Sequence, residues 1–310
     1  MVWHVRDIPD LKGRLAIVTG SNSGTGYETA LVLAGRGADV VMAARNAGKA
    51  EAARQRILAA YPEANVQFEA LDLASQASVA GFAGRLLEAG RSIDILVNNA
   101  GVMALPKRQV SGDGFELQMA TNYFGHFALT ARLLPLLTAG AARVVQVSSI
   151  AHRQGQIQLD DLNHETGYRP WPVYAQSKLA MLMFALELAR RSESHGWGLT
   201  SVAAHPGYAR TSLIENGPMV GSAIARAGLK YLFRPFIEPM VSHSAADGAL
   251  PIILAAASPD ARAGAYFGPT LMSEMKGPPG PAEIRPQALE TRVAARLWAE
   301  SERLTGVSFD

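Results

Sequence analysis

Tyr174 and Lys178 stand four residues apart in a segment whose Ala/Leu/Met spacing predicts a helix near 172–192, so the two share one face. A phenol with a pKa of ~10 is a poor base near neutrality, and a neighbouring ammonium favours the phenolate. Such a pair can give or take a proton at a substrate oxygen. Far upstream, Thr19-Gly20-Ser21-Asn22-Ser23-Gly24-Thr25-Gly26 follows the apolar run LAIVT and enters an Ala/Leu helix. Glycines at such a turn let the backbone bend tightly and let a pyrophosphate approach the helix N-terminus. The spacing is G-x-x-x-G-x-G rather than G-x-G-x-x-G, and its place between strand and helix is what points to a dinucleotide.

The residue about twenty positions beyond the glycines reports which dinucleotide. An acid there suits the ribose hydroxyls of NAD, and an arginine suits the 2′-phosphate of NADP. The second apolar run ends in Met42-Ala43-Ala44-Arg45, while Asp39 lies at its opposite end. Arg45, with Ser21 and Asn22 beside it, therefore predicts NADP(H) as the preferred cofactor, with NAD(H) as the alternative.

The elements that must position these groups alternate. Short runs rich in β-branched residues predict strands near 15–19, 39–44, 65–70, 93–97, 142–148, 199–204 and 264–267. Between and after them, helices are predicted near 25–36, 46–60, 75–89, 114–137, 172–192, 241–257 and 287–303. Near-continuous apolar strands alternating with helices predict an α/β, doubly wound (Rossmann) fold with a parallel sheet covered on both faces. No repeat or linker divides the chain, so residues 1–310 read as a single dinucleotide-binding and catalytic domain. Two long connections break the rhythm, 150–173 and 212–240, and loops of that length usually carry function.

Composition removes other function classes. With 48% hydrophobic and 18% charged residues, the 310-residue chain is too apolar for disorder. It has no cysteine, which excludes disulfides, thiolate metal sites and a thiol nucleophile. A net charge of +2 without a basic block predicts no nucleic-acid partner. His126, His152, His164 and His205 lack metal-ligand spacing, so no metal is expected. No stretch is long and apolar enough for a transmembrane segment, and the N-terminus lacks a signal peptide's apolar core; the expected location is cytoplasmic.

The ordered set TGSNSGTG (19–26), Asp72 in LDL, NNAG (98–101), Asn122 in TNYFGHF, Ser149 in VVQVSS, Tyr174-Ala-Gln-Ser-Lys178 and HPGYART (205–211) resembles the short-chain dehydrogenase/reductase family. The resemblance runs from about Lys12 to Trp298 and implies a seven-stranded parallel sheet with the cofactor across its C-terminal edge. It implies that Gly20, Gly24 and Gly26 cradle the phosphates and that Asp72, with Leu73, meets the adenine. Asn98, Ala100 and Gly101 would line the nucleotide, and Pro206, Gly207 and Thr211 would hold its nicotinamide end. Asn122, Ser149, Tyr174 and Lys178 match the family's catalytic tetrad. On that pattern Tyr174 is the acid/base, Lys178 lowers its pKa and binds the ribose, Ser149 holds the reacting oxygen, and Asn122 fixes a backbone kink and a water.

The 24 residues between Ser149 and Tyr174, together with ARNAGKAEAA, resemble the branch holding retinol dehydrogenases, WW-domain oxidoreductases and protochlorophyllide reductases. That branch implies a small-molecule substrate, a bulky apolar alcohol or carbonyl compound. The apolar stretch 212–240 is expected to be either a lid over that substrate or a contact in a homodimer or homotetramer. A competing expectation is a dinucleotide-sensing regulator on the same fold, against which the intact tetrad argues.

Overall fold

Seven apolar runs form parallel strands: β1 (Leu15–Thr19), β2 (Asp39–Ala44), β3 (Val66–Ala70), β4 (Ile95–Asn98), β5 (Arg143–Val147), β6 (Thr200–Ala204) and β7 (Tyr266–Leu271). The computed structural model describes residues 3–208 and 243–309. The sheet runs β3-β2-β1-β4-β5-β6-β7-β8, where β8 (Lys276–Pro281) pairs antiparallel with β7. That eighth strand corrects the expectation of seven. Its sequence, KGPPGP, reads as a rigid connection, yet prolines are tolerated on an edge strand because one side of the ladder is never paired.

Period-two alternation sends the strand side chains to two cores. Ala16 and Val18 face a layer built on α1 (Gly24–Gly35) and α2 (Ala47–Ala60), while Ile17 faces one built on α3 (Gln76–Ala89) and later helices. The expected single helix over 114–137 is instead broken into α4 (Leu117–Met119), a π-turn over Ala120–Phe124, α5 (Gly125–Arg132) and α6 (Leu134–Ala139). Pro135 at the start of α6 explains one of those breaks. The long α7 (Pro170–His195) begins on a proline and ends at Gly196 in the left-handed region.

Among the described residues the remaining α-helices are α8 (Ala245–Ala257), packed on α1, and α9 (Thr291–Thr305). Trp298 of α9 and Phe309 meet at a tilt with ring centres 4.3 Å apart, and both rings lie 5.1 Å from Phe127 of α5. Phe184 of α7 sits 5.2 Å from Phe127. Each buried aromatic adds roughly 1.5–3 kcal/mol of apolar burial. This cluster locks the helices that carry Asn122 and Tyr174 at a fixed separation. Between β1 and β4 the strand order reverses, and a crevice opens there at the strands' C-terminal ends, where ligands bind in such sheets.

Candidate active site

The crevice at the reversal point has a volume of about 200 Å³ and is walled by the β1–α1 turn, the end of β2, the Asp72 loop and the exit of β4. Gly20, with φ +67°, stands so near the β4 exit that a Cβ there would lie 2.8 Å from the Ala100 Cα. A Cβ on Gly26 would strike the Asn99 amide and the Gly20 carbonyl. The turn therefore needs glycine at both positions for close backbone approach as well as for conformation. At α1's start no side chain caps the backbone and no acid occupies the first turn, so its free N–H groups face the crevice.

Asn22, Ser23, Gly24, Arg45, Asp72, Leu73, Ala100 and Gly101 all line this cleft. Arg45 is exposed at its edge. Asp39 is occupied at the opposite end of β2 by Arg91, 2.6 Å away. The Asp72 carboxylate accepts the Ala74 N–H at 3.0 Å, which shapes the loop leading to α3.

Ser21 and Asn98 point elsewhere. Ser21 is buried with its hydroxyl unpartnered. The Asn98 amide donates to Thr130 Oγ1 and Gln146 Oε1, both at 3.0 Å, inside the core. Asn99 takes the cleft position instead: its amide donates to the Thr19 carbonyl at 2.9 Å and its oxygen accepts the Thr25 hydroxyl at 3.0 Å. Strand alternation was the available signal, because adjacent asparagines at a strand's end must face opposite sides. Val102, Thr25 and Thr121 also line the cleft; Thr25 and Thr121 sit inside TGSNSGTG and TNYFGHF without a role assigned from the sequence, and Val102 follows directly on NNAG.

At the other end, Asn122 sits in the π-turn with both of its polar side-chain atoms engaged. Its Oδ1 accepts the Val102 N–H at 2.8 Å, while Nδ2 donates to the Val102 carbonyl and to Ser177 Oγ, both at 2.9 Å. Tyr174 and Lys178 are buried on one face of α7. Tyr174 lies beside Ser149, which stands just past β5 and whose Oγ accepts the Ala151 N–H at 3.2 Å. The neighbouring Ser148 donates to the Lys178 carbonyl at 2.7 Å and belongs to the core. Lys178 Nζ donates to the Val147 carbonyl at 3.0 Å and lies 5.9 Å from the Tyr174 ring centre. A Cβ on Gly101 would come 3.2 Å from Asn122 Oδ1 and 3.4 Å from Lys178 Nζ, so the β4 exit passes directly over both.

Burial pushes the Lys178 ammonium down to about 8. Burial also raises the Tyr174 phenol, and the Ser149 hydroxyl works against that rise. This corrects the expected lowering of Tyr174 by Lys178: burial leaves the phenol raised with Ser149 alone opposing it, and the ammonium is aimed at the Val147 carbonyl rather than at the phenol oxygen. Met103, Ala104, Ala151 and Ala175 pack around Tyr174, and the half-exposed Trp171 ring stands 5.6 Å from it.

Pro206 and Gly207 lie beyond β6 against the β7–β8 hairpin. The Pro206 carbonyl accepts from His243 Nε2 at 2.6 Å, and Gly207, with φ +65°, abuts the Met275 carbonyl and lies 2.7 Å from Pro269 at its Cβ position. Thr211 and the stretch 212–240 lie outside the described residues.

A family model described as short chain dehydrogenase matches residues 14–218, which span the glycine turn, the crevice and the Tyr174–Lys178 pair. The chain belongs to that family. The short-chain dehydrogenase is 40% identical to retinol dehydrogenase 13 of Homo sapiens over 299 residues, covering 96% of this chain and 86% of that one. It is 39% identical to polyprenol dehydrogenase of Mus musculus over 304 residues, with 96% and 86% covered. A crystal structure of an uncharacterized protein from Mycobacterium Paratuberculosis superposes with a TM-score of 0.80 at 38% identity, covering all of both chains. A Shigella flexneri short chain dehydrogenase complexed with NADP matches at 25% identity and a TM-score of 0.61, over 83% of this chain and 97% of that one.

The family's NAD(P) cofactor fits the residues present. The glycine cradle leaves space that any Cβ would fill, the uncapped start of α1 offers N–H donors for a phosphate, and buried Lys178 uses one of its three donors on Val147. Among the described residues no helix is long and apolar enough to cross a membrane.

Proposed function

We propose that this short-chain dehydrogenase is an NADP(H)-dependent oxidoreductase that interconverts a bulky apolar alcohol and its carbonyl, with Tyr174 as acid/base. The observation that carries the reading is a buried phenol beside Ser149, with Lys178 one helical turn away, where the β4 exit leaves the cleft. The turn glycines and Asn22 would hold the pyrophosphate, Asp72 and Leu73 the adenine side, and Arg45 the 2′-phosphate. When bound, the dinucleotide supplies a hydride donor or acceptor next to Tyr174.

The chain's own part is the proton and the oxygen. The Tyr174 phenol gives its proton to a carbonyl oxygen during reduction and takes one back during oxidation. Ser149 donates to the same oxygen and holds it where negative charge develops. Lys178, still charged below about 8, stabilises the phenolate left behind and has two donors free for the ribose hydroxyls. Asn122 fixes Val102 and Ser177, and with them the strand exit that lies over Lys178.

The apolar wall of Met103, Ala104 and Ala151 supports an apolar substrate, as do relatives named for retinol and polyprenol. The test is Tyr174→Phe, assayed with NADPH against long-chain and ring-bearing carbonyl compounds. Expected is NADPH binding near that of the parent with turnover lower by ~10²–10⁴-fold. Turnover within tenfold of the parent removes Tyr174 from the acid/base role.

A further inference from the structure

His126 lies wholly inside the molecule on α5, between the two halves of the site, and touches neither cleft nor substrate side. Its Nδ1 is 2.9 Å from the backbone carbonyl of Asn122, four residues earlier in the π-turn. Its Nε2 is 2.9 Å from Thr19 Oγ1, the last residue of β1.

The donors and acceptors fix the tautomer. The Asn122 carbonyl can only accept, so Nδ1 carries the hydrogen and Nε2 presents a lone pair. Thr19 Oγ1 accepts the N–H groups of Asn99 and Ala100, at 2.9 and 3.0 Å, which leaves its own hydrogen to donate. Nε2 at 2.9 Å is the nearer acceptor, ahead of the Val97 carbonyl at 3.3 Å. The result is one directed chain: Ala100 N–H to Thr19 O–H to His126, and His126 N–H to the Asn122 carbonyl. Desolvation pushes the imidazole down to about 3, so near neutral pH the ring is uncharged and relays position and not charge.

Both ends of that chain matter to the site. Ala100 and Asn99 form the cleft wall that the turn glycines approach, and Asn122 anchors the strand exit over Lys178. In the π-turn the Gly125 N–H reaches back five residues to Ala120, and the His126 ring supplies a donor to the Asn122 carbonyl four residues back.

We propose that His126 is a positioning residue that ties the dinucleotide wall to the catalytic asparagine, with Nε2 serving cofactor binding through Thr19 and Nδ1 serving turnover through the Asn122 carbonyl. This rests on the reading above, since it assigns parts to the same cleft and the same asparagine.

The two arms can be cut separately. Asparagine places its amide nitrogen where Nδ1 stands but cannot reach Thr19, whereas glutamine places its oxygen where Nε2 stands but offers nothing to Asn122. NADPH affinity is measured by fluorescence titration, and kcat at saturating NADPH with a carbonyl substrate. In His126→Asn the NADPH Kd rises ~tenfold, more than kcat falls. In His126→Gln the order inverts: kcat falls ~tenfold or more and Kd changes less.

A ring that merely fills space moves both quantities alike in both variants, and that result overturns the proposal, as does no change in either. Thr19→Val supplies an independent approach from the other end: it repeats the affinity loss of His126→Asn, and Thr19→Ser recovers it. A parent enzyme that binds NADPH but turns over no carbonyl compound or alcohol strikes the reading of function, while the Kd comparison still judges the Nε2 arm.

Discussion

At the Gly20 end of the cleft backbone meets backbone: a Cβ on Gly20 has no room beside Ala100, and the walls are held by N–H groups and short side chains such as Thr19 and Asn99. At the Tyr174 end the groups proposed to react are long side chains drawn inside the protein, and burial has moved the acidities of both Tyr174 and Lys178. The first end recognises by preformed shape and fixed dipoles, which pH does not alter. The second works by the difference between two protonation states, which pH alters directly. Substitutions at the two ends should therefore fail in different ways: in fit at one, in pH dependence at the other.

The largest effect that would break this contrast is at Lys178. Lys178→Met should lower turnover by roughly 10²-fold, on the scale of losing a charge from the catalytic step. In the parent, kcat for carbonyl reduction should fall as pH passes about 8, where Lys178 gives up its proton. Stability should move the opposite way. The folded value of about 8 lies below the ordinary lysine value of 10.5, so between the two the unfolded chain binds more protons and stability rises with pH. Opposed slopes of kcat and of the urea midpoint across this window, both abolished in Lys178→Met, are the expected signature; parallel slopes would detach Lys178 from the alkaline limb.

Next in size is Gly20→Ala. A left-handed φ of +67° and a Cβ at 2.8 Å from Ala100 Cα should cost roughly 1–3 kcal/mol of stability, read from urea unfolding. NADPH affinity should drop as well, while the pH profile of the remaining activity keeps its shape. A changed pH profile in this variant would mean that the two ends are not separable.

The same contrast decides how much of the molecule the sequence could tell. The seven parallel strands and the long helix of Tyr174 are legible because burial on both faces of a parallel sheet demands continuous apolar runs such as LAIVT and RVVQV. The motif order is enough to expect Asn122, Tyr174 and Lys178 around the β4 exit, where the structure brings them together. What escaped was set by packing. Nothing in KGPPGP signals a strand, because its pairing depends on β7 arriving beside it. The π-turn around Asn122 leaves no mark in the helical period, since the apolar residues of 114–137 satisfy an unbroken helix equally well. His126 reads as a buried structural histidine until the fold brings Thr19, 107 residues away, to its Nε2.

Arg45 sharpens the contrast at the cofactor end. On the proposed reading, the exposed guanidinium at the cleft edge would act as a fixed positive charge for a 2′-phosphate. Arg45→Ala should weaken NADPH binding ~tenfold and leave NADH within about twofold, so the preference narrows and kcat with either cofactor barely moves. The loss should shrink at high salt, as expected for a solvent-exposed ion pair. An equal loss for both cofactors would place Arg45 on the pyrophosphate rather than on the ribose phosphate.

The smallest effect is expected at Ser21, one residue from Gly20 in the same turn. Its hydroxyl is buried and has no hydrogen-bond partner, so it bears the desolvation cost of a polar group with nothing in return. Ser21→Ala should leave NADPH affinity within about twofold and hold or raise stability by up to ~1 kcal/mol. Side by side with Gly20→Ala, this measures how sharply the turn distinguishes backbone from side chain. A several-fold loss of NADPH affinity in Ser21→Ala would mean that the hydroxyl turns outward when the cofactor binds, and the turn would then recognise phosphate by side chain as well as by main chain.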